Sequence, residues 1–227
     1  RETAPAAATP SMFLRSDGST PGYIEALEGG RAVGVPGLLR MLEMAHRASG
    51  KLPWPDLFIP AIELADAGFL VSPRLNALVS RVPTLARSPS AARYFLDSDG
   101  MPRGVGTQLI NDEFAQTLRT IAVGGSAIFY EGAITNDIVE VVRNDPINPG
   151  YLSATDFADY RAKRRLPVCS EYRTFLVCGV GPPSSGGLAV LQILGLLERQ
   201  ELGRLEPWSL EAVHLFLEAN RLAFADR

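Results

Sequence analysis

The hydrophobic positions of this chain recur mostly at helical spacing, between residues that typically begin or end helices. Leu38, Leu39 and Leu42 follow Pro36 at steps of one to four residues, and Gly50 comes afterwards. Proline suits the first turn of a helix and glycine suits its end, so this stretch is predicted to be helical. The same pattern predicts further helices over residues 61–67, 72–82, 113–122, 127–130, 135–142 and 188–197 and after residue 209.

Polar residues in front of several of these segments are expected to cap them. Asp112 precedes the helix over 113–122, and Ser209 precedes the last helix. Ser153 and Asp156 have the spacing of a capping box, with Asp in place of the usual Glu. Residues 1–34 are rich in Ala, Pro, Gly and Ser without a lasting period, which predicts an extended, looped stretch.

A clear β pattern appears only late in the chain. Residues 166–171 and 174–180 are short, rich in β-branched and aromatic residues and separated by a turn, which predicts a hairpin. A lone hairpin is marginal in water, and the helix over 188–197 is apolar on nearly every side. We therefore expect one α+β domain over 1–227, completed by sheet from a partner chain or from another part of the protein.

The two cysteines leave two alternatives open. Cys169 and Cys178 flank the predicted turn, and they face each other only if that turn is centred on Arg173 and Thr174. We favour two free, buried thiols over a disulfide.

The net charge and the length of the apolar runs argue against nucleic-acid binding and against a membrane span. A formal net charge of −3 without clustered Lys and Arg argues against nucleic acid. No window holds the roughly 18 to 20 consecutive apolar residues that a membrane span requires.

Few residues suggest chemistry by themselves. Arg1 suits a carboxylate, since its planar fork can donate two parallel hydrogen bonds, although spacing alone favours an ordinary surface arginine. The loop over 181–187 has proline where a serine nucleophile elbow needs glycine, so Ser184 and Ser185 are expected to cap the following helix. His214 and Glu218 share a helix face and are expected to form a hydrogen-bonded pair rather than a metal site.

Several segments, in order along the whole chain, resemble the γ-glutamyltransferase family. Each is weak alone, but the ordered set is specific. The matching segments are Arg1-Glu2-Thr3-Ala4-Pro5, Val33-Gly34-Val35-Pro36-Gly37, Pro60-Ala61-Ile62-Glu63-Leu64-Ala65, Phe129-Tyr130-Glu131-Gly132, Asp156-Phe157 with Tyr160-Arg161, Pro182-Pro183-Ser184-Ser185-Gly186-Gly187 and residues 218–227.

The resemblance implies an N-terminal-nucleophile hydrolase with an αββα sandwich, to which this chain gives mostly helices, a β-hairpin and a few strands. It implies the inner part of the large subunit of an autocleaved proenzyme, with the threonine nucleophile on a small subunit outside this chain. No catalytic residue, metal ligand or cofactor site is then expected here, and Arg1 is expected to bind the substrate α-carboxylate. The implied substrate is glutathione or another γ-glutamyl amide, and the implied location is the periplasm or the outside of a bacterium.

The resemblance leaves two alternatives. One is a related acylase, acting on cephalosporin or glutaryl side chains, or a poly-γ-glutamate transpeptidase. The other is a catalytically inactive scaffold subunit.

Overall fold

A computed structural model describes residues 1–226. Internal contacts divide the chain into two compact units, Arg1–Ala162 and the part that begins at Lys163. The expectation of one domain over 1–227 stays a prediction, and each unit is described by itself.

The first unit is built from short helices connected by loops and 3₁₀ turns. Its helices are α1 (Tyr23–Leu27), α2 (Leu38–Ser49), α3 (Ile59–Ala67), α4 (Pro73–Val79), α5 (Pro89–Phe95), α6 (Asp112–Gly124), α7 (Ala127–Tyr130), α8 (Ala133–Arg143) and α9 (Ala154–Asp159). Two strands of two residues each, β1 (Phe69–Leu70) and β2 (Gln108–Leu109), pair antiparallel.

Side-chain caps explain where several of these helices begin. Ser72 accepts a hydrogen bond from the Leu75 amide at the start of α4. Ser153 and Asp156 form the predicted capping box of α9. The cap of α6 is Asn111, whose side chain accepts from the Phe114 amide, so the prediction of Asp112 as the cap was wrong by one residue.

The core of the first unit lies where α7, α8 and α9 meet the segment before α2. Its buried residues are Val35, Tyr130, Val142, Leu152, Phe157 and Tyr160. Phe157 and Tyr130 are both fully buried, so the short helix α9 is held by packing as well as by its capping box.

The second unit consists of a hairpin followed by two helices. Strands β3 (Val168–Tyr172) and β4 (Phe175–Gly179) pair antiparallel, and α10 (Ser185–Glu198) and α11 (Leu210–Ala225) follow. The two-residue turn is centred on Arg173 and Thr174, and Arg173 has a φ of 54°, in the left-handed region that tight hairpin turns require. Ser209 caps α11 as predicted, since it accepts from the Ala212 amide.

This turn decides the state of the cysteines. Cys169 and Cys178 lie directly opposite each other in the hairpin register and form a disulfide, with a Cα–Cα distance of 4.2 Å. That distance is typical of an antiparallel pair whose residues do not exchange backbone hydrogen bonds. Both residues are exposed. The expectation of two free, buried thiols was therefore wrong.

Helix α10 is apolar on several sides, as the sequence predicts. Ala189 and Leu197 are buried, whereas Leu188, Val190 and Leu196 are exposed within this chain. The predicted coverage of α10 by another chain stays a prediction. No helix within residues 1–226 is both long and apolar enough to cross a membrane.

Candidate functional site

The segment that carries Arg1 is attached to the first unit by backbone pairing. Thr3 forms an isolated antiparallel bridge with Val35, in which the Val35 amide donates to the Thr3 carbonyl at 2.8 Å and the Thr3 amide donates back at 3.3 Å. Val35 is buried in the core, whereas Thr3 is exposed. The bridge therefore joins an exposed segment to a fixed part of the fold.

The backbone of Arg1 itself is held by a tyrosine from the other end of the unit. The hydroxyl of Tyr160 donates to the Arg1 carbonyl oxygen at 2.7 Å. Gly37 makes this approach possible, because a β-carbon at that position would collide with both the Arg1 carbonyl and the Tyr160 hydroxyl. Three elements that are distant in sequence thus converge on one carbonyl group.

Tyr160 is in turn fixed by a second tyrosine. The rings of Tyr130 and Tyr160 stack, with centroids 5.7 Å apart and planes 11° from parallel. The Tyr130 hydroxyl donates to the Pro36 carbonyl at 2.7 Å, and the Arg40 guanidinium lies 4.7 Å from the Tyr130 ring centroid. Burial raises the pKa of Tyr130, and the opposing hydrogen bond from the Arg40 amide does not cancel this effect. The Tyr130 hydroxyl therefore stays a neutral donor near pH 7.

Arg40 belongs to a polar cluster next to this stack. Its Nη1 donates to the Ser126 hydroxyl at 3.3 Å, and that hydroxyl donates to Glu43 at 2.7 Å. Burial opposes ionisation of Glu43, but the Ser126 hydrogen bonds and the charges of Arg47 and Arg40 outweigh it, so the pKa of Glu43 is lowered. A charged Glu43 thus compensates the guanidinium beside Tyr130.

A carboxylate of α9 holds the same N-terminal segment a few residues further on. Asp156 accepts from the Ala6 amide at 2.7 Å through one oxygen, and from the Ser153 hydroxyl and amide through the other. Burial opposes ionisation of Asp156, but these three hydrogen bonds outweigh it and the pKa of Asp156 is lowered. Asp156 therefore serves both as a helix cap and as an anchor.

Arg1 is exposed, although its carbonyl group is anchored. Its guanidinium makes no hydrogen bond or ion pair with any group in residues 1–226, so its donors are available to a ligand. A guanidinium can grip a carboxylate with two parallel hydrogen bonds. This arrangement, a free cation on a fixed backbone, is suited to binding an anion.

The other sequence candidates do not form a reactive centre. Ser184 precedes α10 without a side-chain capping hydrogen bond, so the predicted capping by its hydroxyl was wrong. The backbone of this loop approaches β4 closely at Gly187, where a β-carbon would collide with the Val180 carbonyl. Glu218 bonds to Arg221 at 2.6 Å and not to His214, so the predicted hydrogen-bonded pair was wrong as well.

Residues 1–226 contain no group of three or more His, Cys, Asp or Glu side chains that could hold a metal ion.

Comparisons with known proteins place this geometry in a family. The family model described as Gamma-glutamyltranspeptidase matches residues 1–227. The chain is 36% identical over 204 residues to the acylase ACY 1 proenzyme of Pseudomonas sp. (strain V22), covering 89% of this chain and 36% of that protein. It is 33% identical over 227 residues to the glutathione hydrolase proenzyme of Bacillus subtilis (strain 168), covering 100% of this chain and 38% of that protein.

A solved structure agrees with these sequence matches. The γ-glutamyltranspeptidase of Helicobacter pylori superposes with a TM-score of 0.90 at 31% identity, covering 100% of this chain and 64% of the solved chain. The fold is thus the mixed α+β class of the N-terminal-nucleophile hydrolases, as the sequence predicts. The chain belongs to the gamma-glutamyltranspeptidase family. It spans a little over a third of the length of the two curated relatives.

Sequence reasoning singled out Arg1 and missed the residues that hold it. Gly37 and Tyr160 were singled out only within segments that resemble the family, without a role, and Asp156 was predicted to form a capping box but not to hold the Ala6 amide. No local signal marks these contacts, because Tyr160 and Arg1 lie 159 positions apart. The substrate-binding role of Arg1 stays a prediction.

Proposed function

We propose that this chain is part of an enzyme that transfers the γ-glutamyl group of glutathione and related amides to amino acids, peptides or water. In this proposal Arg1 binds the α-carboxylate of the glutamyl group. The observation that carries the proposal is a guanidinium without a partner in residues 1–226, on a backbone anchored at its own carbonyl group. Membership in the gamma-glutamyltranspeptidase family supports the same substrate class.

The proposed reaction proceeds in two steps on a threonine that lies outside this chain. The threonine hydroxyl attacks the γ-carbonyl carbon, its proton passes to the threonine's own α-amine, and the amide nitrogen leaves with a proton as the free amine. An acceptor amine or a water molecule then attacks the resulting ester and releases the threonine. Arg1 contributes by orienting the acyl group, since correct placement alone can supply a large part of the rate.

The proposal includes a partner and a location. The partner is a small catalytic subunit cut from the same proenzyme, and both curated relatives described above carry the word proenzyme in their names. The location is the periplasm or the outside of a bacterium. The Cys169–Cys178 disulfide supports it, because disulfides persist in oxidising compartments.

The test is a substitution of Arg1 in the complete, processed enzyme. Two p-nitroanilides separate the groups that Arg1 can recognise: γ-glutamyl-p-nitroanilide, and 4-aminobutyryl-p-nitroanilide, which keeps the amine but lacks the carboxylate. Arg1→Ala should lower kcat/KM for the first on the order of 100-fold, because a charge-assisted, bidentate contact is lost. The rate on the second should change little.

Arg1→Lys is the matched control for charge. It keeps the cation but loses the planar fork, so its kcat/KM on the γ-glutamyl substrate should lie between those of Arg1→Ala and the parent. Equal values of kcat/KM for the parent and Arg1→Ala on γ-glutamyl-p-nitroanilide would contradict the proposal.

A second candidate function, a related acylase, is favoured by the 36% identity to the ACY 1 proenzyme. Glutaryl-p-nitroanilide distinguishes the two, since it keeps the carboxylate and lacks the α-amine. A γ-glutamyl-transferring enzyme should prefer the γ-glutamyl substrate, whereas an acylase should prefer the glutaryl substrate.

A further inference from the structure

We infer that Tyr160 is a positioning residue for Arg1 and thereby sets the selectivity for substrates with a free α-carboxylate. The inference rests on the proposed function. It concerns the contact between the Tyr160 hydroxyl and the Arg1 carbonyl rather than any contact of Tyr160 with substrate.

The segment that carries Arg1 has few means of its own to stay ordered. Residues 1–4 are all exposed, and Pro5 is the first buried position. An exposed segment with few buried contacts depends for its order on the hydrogen bonds that it makes to the rest of the fold. The side chain of Arg1 adds several rotatable bonds, so an unrestrained backbone would spread the guanidinium over a wide region.

Three contacts restrain this segment, and two of them come from α9 and the residue after it. Tyr160 holds the Arg1 carbonyl, the Val35 backbone holds Thr3, and Asp156 holds the Ala6 amide. Of the three, only the Tyr160 contact acts on the residue whose side chain is proposed to meet the ligand. Because the peptide unit is planar, holding the Arg1 carbonyl also restrains the position of the Arg1 α-carbon, and so the point from which its side chain extends.

The Tyr160 hydroxyl is a rigid anchor. Its residue is only 6% exposed, and its ring stacks on Tyr130, which is itself fully buried. Because Gly37 has no β-carbon, there is space for the Tyr160 hydroxyl to meet the Arg1 carbonyl. Restraint of the Arg1 backbone before binding lowers the entropic cost of ordering Arg1 when the ligand arrives, which raises affinity without adding a contact.

The experiment replaces Tyr160 by Phe in the complete, processed enzyme, which deletes the hydroxyl and keeps the ring. KM for γ-glutamyl-p-nitroanilide should rise about 3- to 10-fold, the size expected from one neutral hydrogen bond, with kcat nearly unchanged. On 4-aminobutyryl-p-nitroanilide, which offers no α-carboxylate to Arg1, kinetics should match those of the parent.

A double-mutant cycle separates positioning from general damage. In an Arg1→Ala background the Tyr160→Phe change should have no further effect on KM, because the side chain that it positions is gone. A further rise of the same size would overturn the inference, as would an equal loss on both p-nitroanilides.

Two other variants keep the result interpretable. Thr135→Val deletes a different buried hydroxyl, which donates to the Phe129 carbonyl at 2.7 Å instead of to Arg1 or Tyr160. It should lower thermal stability without changing KM. Gly37→Ala places a methyl group between the Arg1 carbonyl and the Tyr160 hydroxyl, and it should reproduce the selective rise in KM.

The two proposals fail in different ways. If Arg1→Ala leaves the preference for the α-carboxylate intact, the proposed function falls and the inference falls with it. If Arg1→Ala abolishes that preference and Tyr160→Phe leaves KM at the parent's value, the role of Tyr160 alone is refuted.

Discussion

At the scale of single residues, the candidate site depends on groups that satisfy two needs at once. Asp156 caps α9 through Ser153 and holds the Ala6 amide with its other oxygen. Tyr160 belongs to the core and also binds the Arg1 carbonyl. A substitution at either position therefore affects both the packing of the first unit and the placement of Arg1.

Asp156 gives the first unit a stability that depends on pH. The pKa of Asp156 is lower in the folded protein than its unfolded value of about 3.9. The contribution of Asp156 to the free energy of unfolding is therefore fully present above that unfolded pKa, and it is lost as the pH falls through the folded pKa. Asp156→Asn should cost about 1 kcal/mol at pH 7, the usual size for a lost cap. This loss should appear as a lower Tm of the variant.

Thermal unfolding of the complete protein between pH 3 and pH 7 measures this effect. The difference in Tm between the parent and Asp156→Asn should become smaller as the pH falls below about 4. Asp159→Asn, at the exposed C-terminal end of the same helix, is the control and should cost no stability. If Asp156→Asn lowered the Tm by the same amount at every pH, the role of the Asp156 charge would be contradicted.

At the scale of elements, local signals predicted part of what local interactions determine, since the caps expected at Asp112 and Ser184 are not present. The caps at Ser153 and Ser209 accept from amides three residues ahead, so short sequence patterns identify them. The helix predicted over 72–82 nevertheless ends at Val79. The pair of β1 and β2 was missed, because Phe69 meets Leu109 across forty residues and neither strand exceeds two residues.

The hairpin shows how one turn decides a larger feature. Arg173 has a left-handed backbone conformation at the centre of the turn, which sets the register of the two strands. In that register Cys169 lies opposite Cys178. Arginine is not a residue that typically marks such a turn, so the sequence left both registers open.

Removing the disulfide should loosen the hairpin. The bond closes a loop of only about ten residues, for which chain-entropy arguments give a stabilisation on the order of 2 kcal/mol. Hydrogen exchange at the β3 and β4 amides should accelerate in the Cys169→Ser/Cys178→Ser variant. The amides of α6 serve as the internal reference, and unchanged exchange in the hairpin would contradict a stabilising role for the bond.

At the scale of the whole molecule, the second unit exposes much apolar surface. Its exposed large hydrophobic residues include Leu166, Phe175, Leu176, Val180, Val190, Leu210, Phe216 and Leu217. Extended exposed apolar surface is typical of a region that another polypeptide covers. The proposed small subunit is our candidate for that polypeptide.

A charge on α10 tests this assembly. Leu191→Asp should prevent association with the small subunit, because the carboxylate would lose water without gaining a partner. Size-exclusion chromatography of the coexpressed subunits measures the loss. Gln200→Asp adds the same charge just beyond the end of α10, at an exposed position, and should assemble normally. Normal assembly of Leu191→Asp would refute coverage of this helix.

The hydrogen bond between Tyr160 and Arg1 joins residues that lie 159 positions apart. Arg1 can therefore be aligned only after Tyr160, the Tyr130 ring and the segment around Gly37 have come together. We expect a partly folded chain to contain most of its helices and yet not to bind a ligand. Substrate binding would then report completed folding more faithfully than helical content does.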